Sequence, residues 1–159
     1  MLREMLGITE GILQDLHNDH SEVDVLLEEI KDSGDPAARR RLFSVMSGKL
    51  LPHLQAEQEV LYQRLQRGKS AQSRRFGHEG TGGHEAAEQQ VQKMFKLGDL
   101  MSDRWEAELK VLTDLVEHHV TEEESTGFSC ARDEFDKEQL EAMREEFQTR
   151  KAQLRAQVG

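Results

Sequence analysis

The sequence predicts an all-α fold, an antiparallel up-down-up-down four-helix bundle with an additional C-terminal helix. The chain has only two prolines and little of the alternation of β-branched residues that is typical of strands. Long stretches instead repeat apolar residues at helical spacing. Two of the connections between helices are short, as in bundles whose consecutive helices run antiparallel. A length of 159 residues suits one domain with a single core, so we expect a single domain over residues 1–159.

The first half of the bundle is predicted from start and stop signals. The first helix is expected from about Thr9, which can act as its N-cap, to Ser33, where Gly34 is a stop signal. Asp35 followed by Pro36 predicts the start of a second helix over about 36–67. Pro52 lies inside that span and is expected to kink it.

The second half follows a segment rich in Gly and Ser, residues 68–83, which is expected to form a basic loop. A third helix is predicted over about 84–100, with a start some residues earlier as the alternative, and Ser102 can cap a fourth over about 103–126. Asp136 and Gln139 form a capping-box pattern that predicts a fifth helix over about 137–156. The bundle therefore covers about 9–128 and the C-terminal helix about 136–157.

Composition excludes several classes of protein. A net charge of -10 disfavours binding to the phosphates of nucleic acid, which needs a basic surface. The sequence contains no run of about 18 apolar residues, so it predicts no membrane span. Its N-terminal segment lacks the apolar core of a signal peptide. The chain has one Cys, which fits a reducing compartment, so we expect a cytoplasmic protein. Its seven His are the feature that composition leaves unexplained.

Helical wheels place polar residues on the apolar faces of the predicted helices. Six of them point toward the expected core: His20, His53, Glu57, His84, His119 and Glu123. An unpaired buried carboxylate costs several kcal/mol, and these faces carry no Lys or Arg close enough to neutralise the two Glu. A bound metal is the simplest way to stabilise this set. His17 and His118 lie off the faces and are expected at the surface or beside a ligand.

The donor set narrows the choice of metal. His53 with Glu57 and His119 with Glu123 share the spacing H-x-x-x-E, which puts both donors on one helix face, one turn apart. Six donors are too many for one tetrahedral zinc ion, and four imidazoles are too many for calcium or magnesium. Mixed imidazole and carboxylate ligands suit iron or manganese.

Four segments carry a resemblance to a known family: LHNDHSEVDVLL, HLQAEQEVLYQRL, GGHEAAEQQV and LVEHHVTEEESTGF. They resemble the helix signatures of the hemerythrin-like, HHE cation-binding proteins over roughly residues 10–130. The two H-x-x-x-E pairs are the strongest part of the resemblance. Five positions after the Glu of each pair stands an aromatic residue, which is Tyr62 in the first case and Phe128 in the second. The resemblance implies a four-helix bundle that holds two iron ions in a non-haem, carboxylate-bridged centre. By position, it implies the same six ligands, with Glu57 and Glu123 as bridges.

One departure from the family concerns function. Oxygen-carrying hemerythrins use a fifth His on the third helix, whereas Glu88 stands four residues after His84 and Gly80 four before it. Glu88 is expected on the inner face, where it could be a seventh ligand. The resemblance implies O2 or H2O2 as the small-molecule ligand, with oxygen or redox sensing or catalase-like breakdown as the outcome. The alternative is a non-catalytic iron-binding or iron-sensing module. The fifth helix either packs on the bundle or builds a dimer, so the chain is expected to be a monomer or a homodimer.

Overall fold

The computed structural model describes residues 10–158, and this part of the chain is helical without any strand. The prediction of an all-α fold is therefore confirmed. The helices are α1 (Ile12–Asp32), α2 (Pro36–Glu57), α3 (Gln63–Gln66), α4 (Ala71–Phe95), α5 (Asp103–Glu122), α6 (Phe128–Glu134) and α7 (Lys137–Val158). Two π-helical turns interrupt the long helices, Gln58–Tyr62 between α2 and α3 and Glu123–Gly127 between α5 and α6. None of these helices is both long and apolar enough to cross a lipid bilayer.

Most of the predicted helix starts are confirmed by their caps. The Asp35 carboxylate accepts a hydrogen bond from the Ala38 N–H at 2.9 Å, and Pro36 opens α2. Asp136 and Gln139 form the reciprocal capping box that opens α7, with bonds of 2.8 and 2.9 Å. Thr9, the expected N-cap of the first helix, lies outside the described residues. The second helix continues through Pro52, which has no N–H to donate to the Gly48 carbonyl, and passes into the π-helical turn after Glu57.

The prediction of a loop over residues 68–83 is wrong, because α4 already begins at Ala71. Ser70 caps it by accepting a hydrogen bond from the Ser73 N–H at 3.0 Å. Three of the glycines that suggested a loop, Gly77, Gly80 and Gly83, are packing positions inside the helix. A Cβ atom on Gly80 would lie 2.7 Å from the Tyr62 ring, so only glycine lets the two segments approach this closely. The helix also ends at Phe95, whose side chain is exposed, rather than near residue 100.

The glycines of α4 allow a matched test of this packing. We expect Gly80→Ala to destabilise the protein by about 1–3 kcal/mol, because the added methyl group forces the buried Tyr62 ring to move. Gly82→Ala meets nothing within 4 Å and should stabilise the helix by about 0.5–1 kcal/mol. Denaturant unfolding of the metal-free variants measures both values. Similar values for the two variants would contradict the packing role of Gly80.

The apolar core is divided into two clusters. One joins the beginning of α1 to the first π-helical turn, α6 and α7, and includes Leu16, Phe128 and Phe147. The other joins the end of α1 to α2, α4 and α5, and includes Ile30 and Trp105. Helix α7 packs against α1 and α2 and buries Leu140, Met143 and Phe147. The polar residues described next lie where the two clusters meet.

Candidate metal centre

The structure brings the six predicted residues together in one buried cluster. The donors come from α1, α2, α4, α5 and the second π-helical turn. They form two overlapping groups, and the donor atoms within each group all lie within 4.8 Å of one another. One group consists of His20, His53, Glu57 and Glu123, and the other of Glu57, His84, His119 and Glu123. Glu57 and Glu123 thus belong to both groups, as the bridging role would require.

Each of the two shared carboxylates lies between imidazoles of different helices. Oε1 of Glu57 is 3.3 Å from Nε2 of His53 and 3.2 Å from Nε2 of His84. Glu123 places Oε1 3.0 Å from Nε2 of His20 and Oε2 3.7 Å from Nε2 of His119. All four imidazoles therefore present the same nitrogen, Nε2, to the centre of the cluster.

Contacts on the other ring nitrogen orient three of these imidazoles. Nδ1 of His20 lies 2.7 Å from a Glu124 oxygen, and Nδ1 of His84 lies 3.2 Å from the Leu54 carbonyl oxygen. Nδ1 of His53 lies 2.8 Å from Oδ2 of Asp19. An imidazole that donates its Nδ1–H to such an acceptor keeps a free lone pair on Nε2 and is fixed in orientation, which is the usual arrangement for a metal-binding His.

The C-terminal helix contributes to this outer layer. Lys151 of α7 donates a hydrogen bond to Oδ2 of Asp19 at 2.8 Å, the same oxygen that contacts His53. Burial works against ionisation of Asp19, but the hydrogen bonds and charges of His53 and Lys151 outweigh it and lower the pKa of Asp19 to about 2. Asp19 is therefore an anion beside His53 and can accept its Nδ1–H.

The protein's own groups leave the centre of the cluster unsatisfied. Within the described part of the chain, both Glu57 oxygens, Oε1 of Glu123 and Nε2 of His20 are buried and lack a hydrogen-bond partner. Burial and the neighbouring carboxylate of Glu123 raise the pKa of Glu57 well above its usual range. Burial alone would lower the pKa of His20, but Glu123 and Glu124 raise it to about 9. Two facing carboxylates among four inward imidazole nitrogens have the donor chemistry that a pair of cations requires, since a bound cation can replace the proton of His20.

Comparison with known proteins agrees with this geometry. The family model described as the hemerythrin HHE cation-binding domain matches residues 11–131. The chain belongs to this family. The match ends before α7, so the hemerythrin-like domain of this chain receives Lys151 from a helix outside the matched residues.

One curated relative of this hemerythrin-like chain is a protein of Nostoc sp. (strain PCC 7120 / SAG 25.82 / UTEX 2576) named DNA nickase. The two are 30% identical over 145 residues, which cover 89% of this chain. The chain spans only 39% of the length of that relative. No solved structure matches the chain.

The π-helical turns explain the spacing of the aromatic residues in this hemerythrin-like domain. Gln63 and Phe128 donate their backbone N–H groups to carbonyls five residues earlier, those of Gln58 and Glu123. The first turn begins directly after Glu57 and ends at Tyr62, whereas the second begins at Glu123 and is followed by Phe128, so each aromatic residue stands five positions after the Glu of an H-x-x-x-E pair. In the first pair this residue is Tyr62, whose hydroxyl lies 3.2 Å from Nε2 of His84 and 3.0 Å from Nε2 of His119. That hydroxyl also donates a hydrogen bond to Glu123.

The structure places some polar residues near the hemerythrin-like site as the sequence predicted and others elsewhere. Glu88 is exposed, so the expectation that it faces inward as a seventh ligand is wrong. His118 is exposed, and half-buried His17 contacts Glu124 at 2.8 Å, as expected for residues outside the ligand set. Glu124 lies between His17 and His20. The sequence patterns indicated neither the contacts of Asp19 and Lys151 nor the position of the Tyr62 hydroxyl; the conspicuous position of Tyr62 after Glu57 was the only available signal.

A small cavity adjoins the imidazoles. Its volume is about 20 Å³, close to the space that one water molecule needs. Besides the four His of the cluster, Asp19 and Gly83, its lining is aliphatic: Val23, Leu50, Leu54, Ala87, Val116 and Val120. Only a very small molecule could enter this space without displacing side chains.

Proposed function

We propose that this hemerythrin-like domain holds two non-haem iron ions in a carboxylate-bridged centre. The proposed ligands are the six residues predicted from the sequence, His20, His53, Glu57, His84, His119 and Glu123. The observation that carries the proposal is that the two donor groups overlap in Glu57 and Glu123. A carboxylate that belongs to two donor groups can give one oxygen to each of two ions.

We propose O2 or H2O2 as the small molecule that reacts there. When bound, a pair of ferrous ions supplies two electrons to such a molecule. The chain's own residues keep the imidazole Nε2 atoms directed inward through Glu124, Asp19 and the Leu54 carbonyl. The aliphatic lining of the cavity excludes bulk water, and its size favours a molecule of two or a few atoms. The outcome would be oxygen or redox sensing, or catalase-like breakdown of peroxide.

The second candidate is a non-catalytic iron-binding module whose stability reports the availability of iron. It is favoured by the buried carboxylate oxygens of Glu57 and Glu123 that lack partners. Such groups destabilise the metal-free fold, so metal binding would be strongly coupled to folding.

Anaerobic loading with ferrous iron, followed by separate additions of O2 and H2O2, tests the proposal and separates the candidates. We expect about two irons per chain, as in carboxylate-bridged di-iron bundles, and an optical change with at least one of the two molecules. Rapid peroxide consumption with a small rise in melting temperature supports an enzyme. A large rise in melting temperature without turnover supports an iron sensor. Protein that binds neither iron, manganese nor zinc would refute both candidates.

The finer architecture is also part of the proposal. We infer the antiparallel up-down-up-down order from the short connections after α1 and α4. A single domain, a cytoplasmic location and a monomer or homodimer remain our expectations. We carry no nicking activity over from the Nostoc relative, because the net charge of -10 works against binding a phosphate backbone.

A further inference from the structure

The hydroxyl of Tyr62 lies among donor atoms of the cluster rather than at its edge. It contacts Nε2 of His84 and Nε2 of His119 at 3.2 and 3.0 Å and donates to the Glu123 carboxylate. Both His belong to the second donor group, as does Glu123. We propose that the Tyr62 oxygen is itself a ligand, bound as phenolate to the iron ion that this second group holds. The inference rests on the proposed function, since it requires iron at this position.

Hydrogen bonding alone does not satisfy these contacts. A phenol has one proton, and here that proton is directed to Glu123. Nδ1 of His84 donates its hydrogen to the Leu54 carbonyl oxygen, so Nε2 of the same ring carries a lone pair and no hydrogen. Nε2 of His119 lies 2.8 Å from this nitrogen and 3.0 Å from the phenol oxygen, and its single proton can be donated fully to only one of them. The phenol oxygen and Nε2 of His84 still face each other with lone pairs at 3.2 Å, a contact that a cation bound to both atoms would make favourable. A cation would turn the same contacts into shared coordination.

The Tyr62 ring is held firmly in this position. It is fully buried, packs edge-on against Phe76 with ring centroids 5.8 Å apart, and fits against Gly80 where no Cβ intervenes. The π-helical turn directs it toward the cluster. A buried and rigid side chain needs no rearrangement to act as a ligand.

The second aromatic position makes the two metal positions unequal. Phe128 follows Glu123 as Tyr62 follows Glu57, but it has no hydroxyl. The phenolate would therefore add an anionic ligand to only one iron. An anionic oxygen donor stabilises ferric over ferrous iron, so we expect this ion to have the lower reduction potential. Coordination replaces the O–H bond by an O–iron bond and releases one proton to the solvent.

The sequence makes the test unusually direct, because Tyr62 is the only tyrosine in the chain. The protein is loaded with ferrous iron without oxygen, oxidised with ferricyanide, and measured by iron analysis, visible absorption and resonance Raman. We expect a phenolate-to-iron charge-transfer band and enhanced tyrosine ring modes, which can arise only from Tyr62. Tyr62→Phe should lose both signals while keeping at least half of the iron, and the reduction potential should rise.

Phe128→Leu is the matched control, because it alters the equivalent aromatic position without touching a hydroxyl, and it should keep the charge-transfer band. Iron-loaded parent protein without phenolate signals would overturn the assignment of Tyr62 and leave the proposed iron centre standing. Parent protein that binds no iron would overturn the proposed function and this inference with it.

Discussion

Replacing Glu57 by Ala is expected to reduce bound iron from about two ions per chain to nearly none. Glu57 belongs to both donor groups, so its loss removes a ligand from each ion at once. His119→Ala removes a donor from only one group. It should therefore lower the iron content, and the iron that still binds should be held more weakly. Metal analysis after anaerobic loading and desalting measures both effects.

Two further variants separate loss of a ligand from loss of the fold. Glu88→Ala removes an exposed carboxylate from α4 and should bind iron like the parent. Glu57→Leu fills the same space without a charge. Because both Glu57 oxygens lack hydrogen-bond partners, we expect this variant to be more stable than the metal-free parent although it binds no iron. Full iron content in both Glu57→Ala and His119→Ala would refute the ligand assignment.

Replacing Phe147 by Ala is expected to destabilise the metal-free protein by about 3–5 kcal/mol. Phe147 is a fully buried residue of α7, and its ring packs edge-on against His53 with centroids 5.5 Å apart. The change leaves a cavity beside the proposed ligand and loosens the helix that carries Lys151. Metal release from the loaded variant should therefore also be faster. Denaturant unfolding and the rate of iron transfer to a chelator measure the two effects.

Phe95→Ala is the control for this second prediction. It deletes the same atoms from a side chain that is 50% exposed, at the end of α4. We expect it to cost clearly less stability and to leave the rate of iron release unchanged. Equal losses in the two variants would show that α7 does not support the centre.

The parts of the fold that follow from the sequence depend on local chemistry. Asp35, Ser102 and Asp136 cap the helices that they were predicted to cap, because capping needs only a side chain and the next few backbone N–H groups. The early start of α4 depends instead on tertiary contacts. Gly77 and Gly80 are helical because they fit against Gln66 and Tyr62 of another segment, which no local signal contains.

The same distinction holds for the site. Five of the six clustered residues lie on regular α-helical faces, and Glu123 opens a π-helical turn only four residues after His119, so a helical wheel still describes the set well. Glu88 was misplaced because the buried row of α4 runs through His84, Ala87 and Val91, which leaves Glu88 on the outer flank. The direction of Tyr62 depends on a π-helical turn, which shifts the helical phase by one residue and defeats a regular wheel. The contact between Asp19 and Lys151 joins residues 132 positions apart.

The division of the apolar core into two clusters has a consequence for how the chain unfolds. A continuous core makes a domain melt as one unit, whereas here a layer of imidazoles and carboxylates separates the two halves. Without metal, the buried carboxylate oxygens that lack partners weaken this layer, so we expect each half to open more readily on its own. Ions bound to residues of α1, α2, α4 and α5 would join both halves into one cooperative unit. The proposed cofactor would thus set the size of the folding unit as well as the chemistry that it supports.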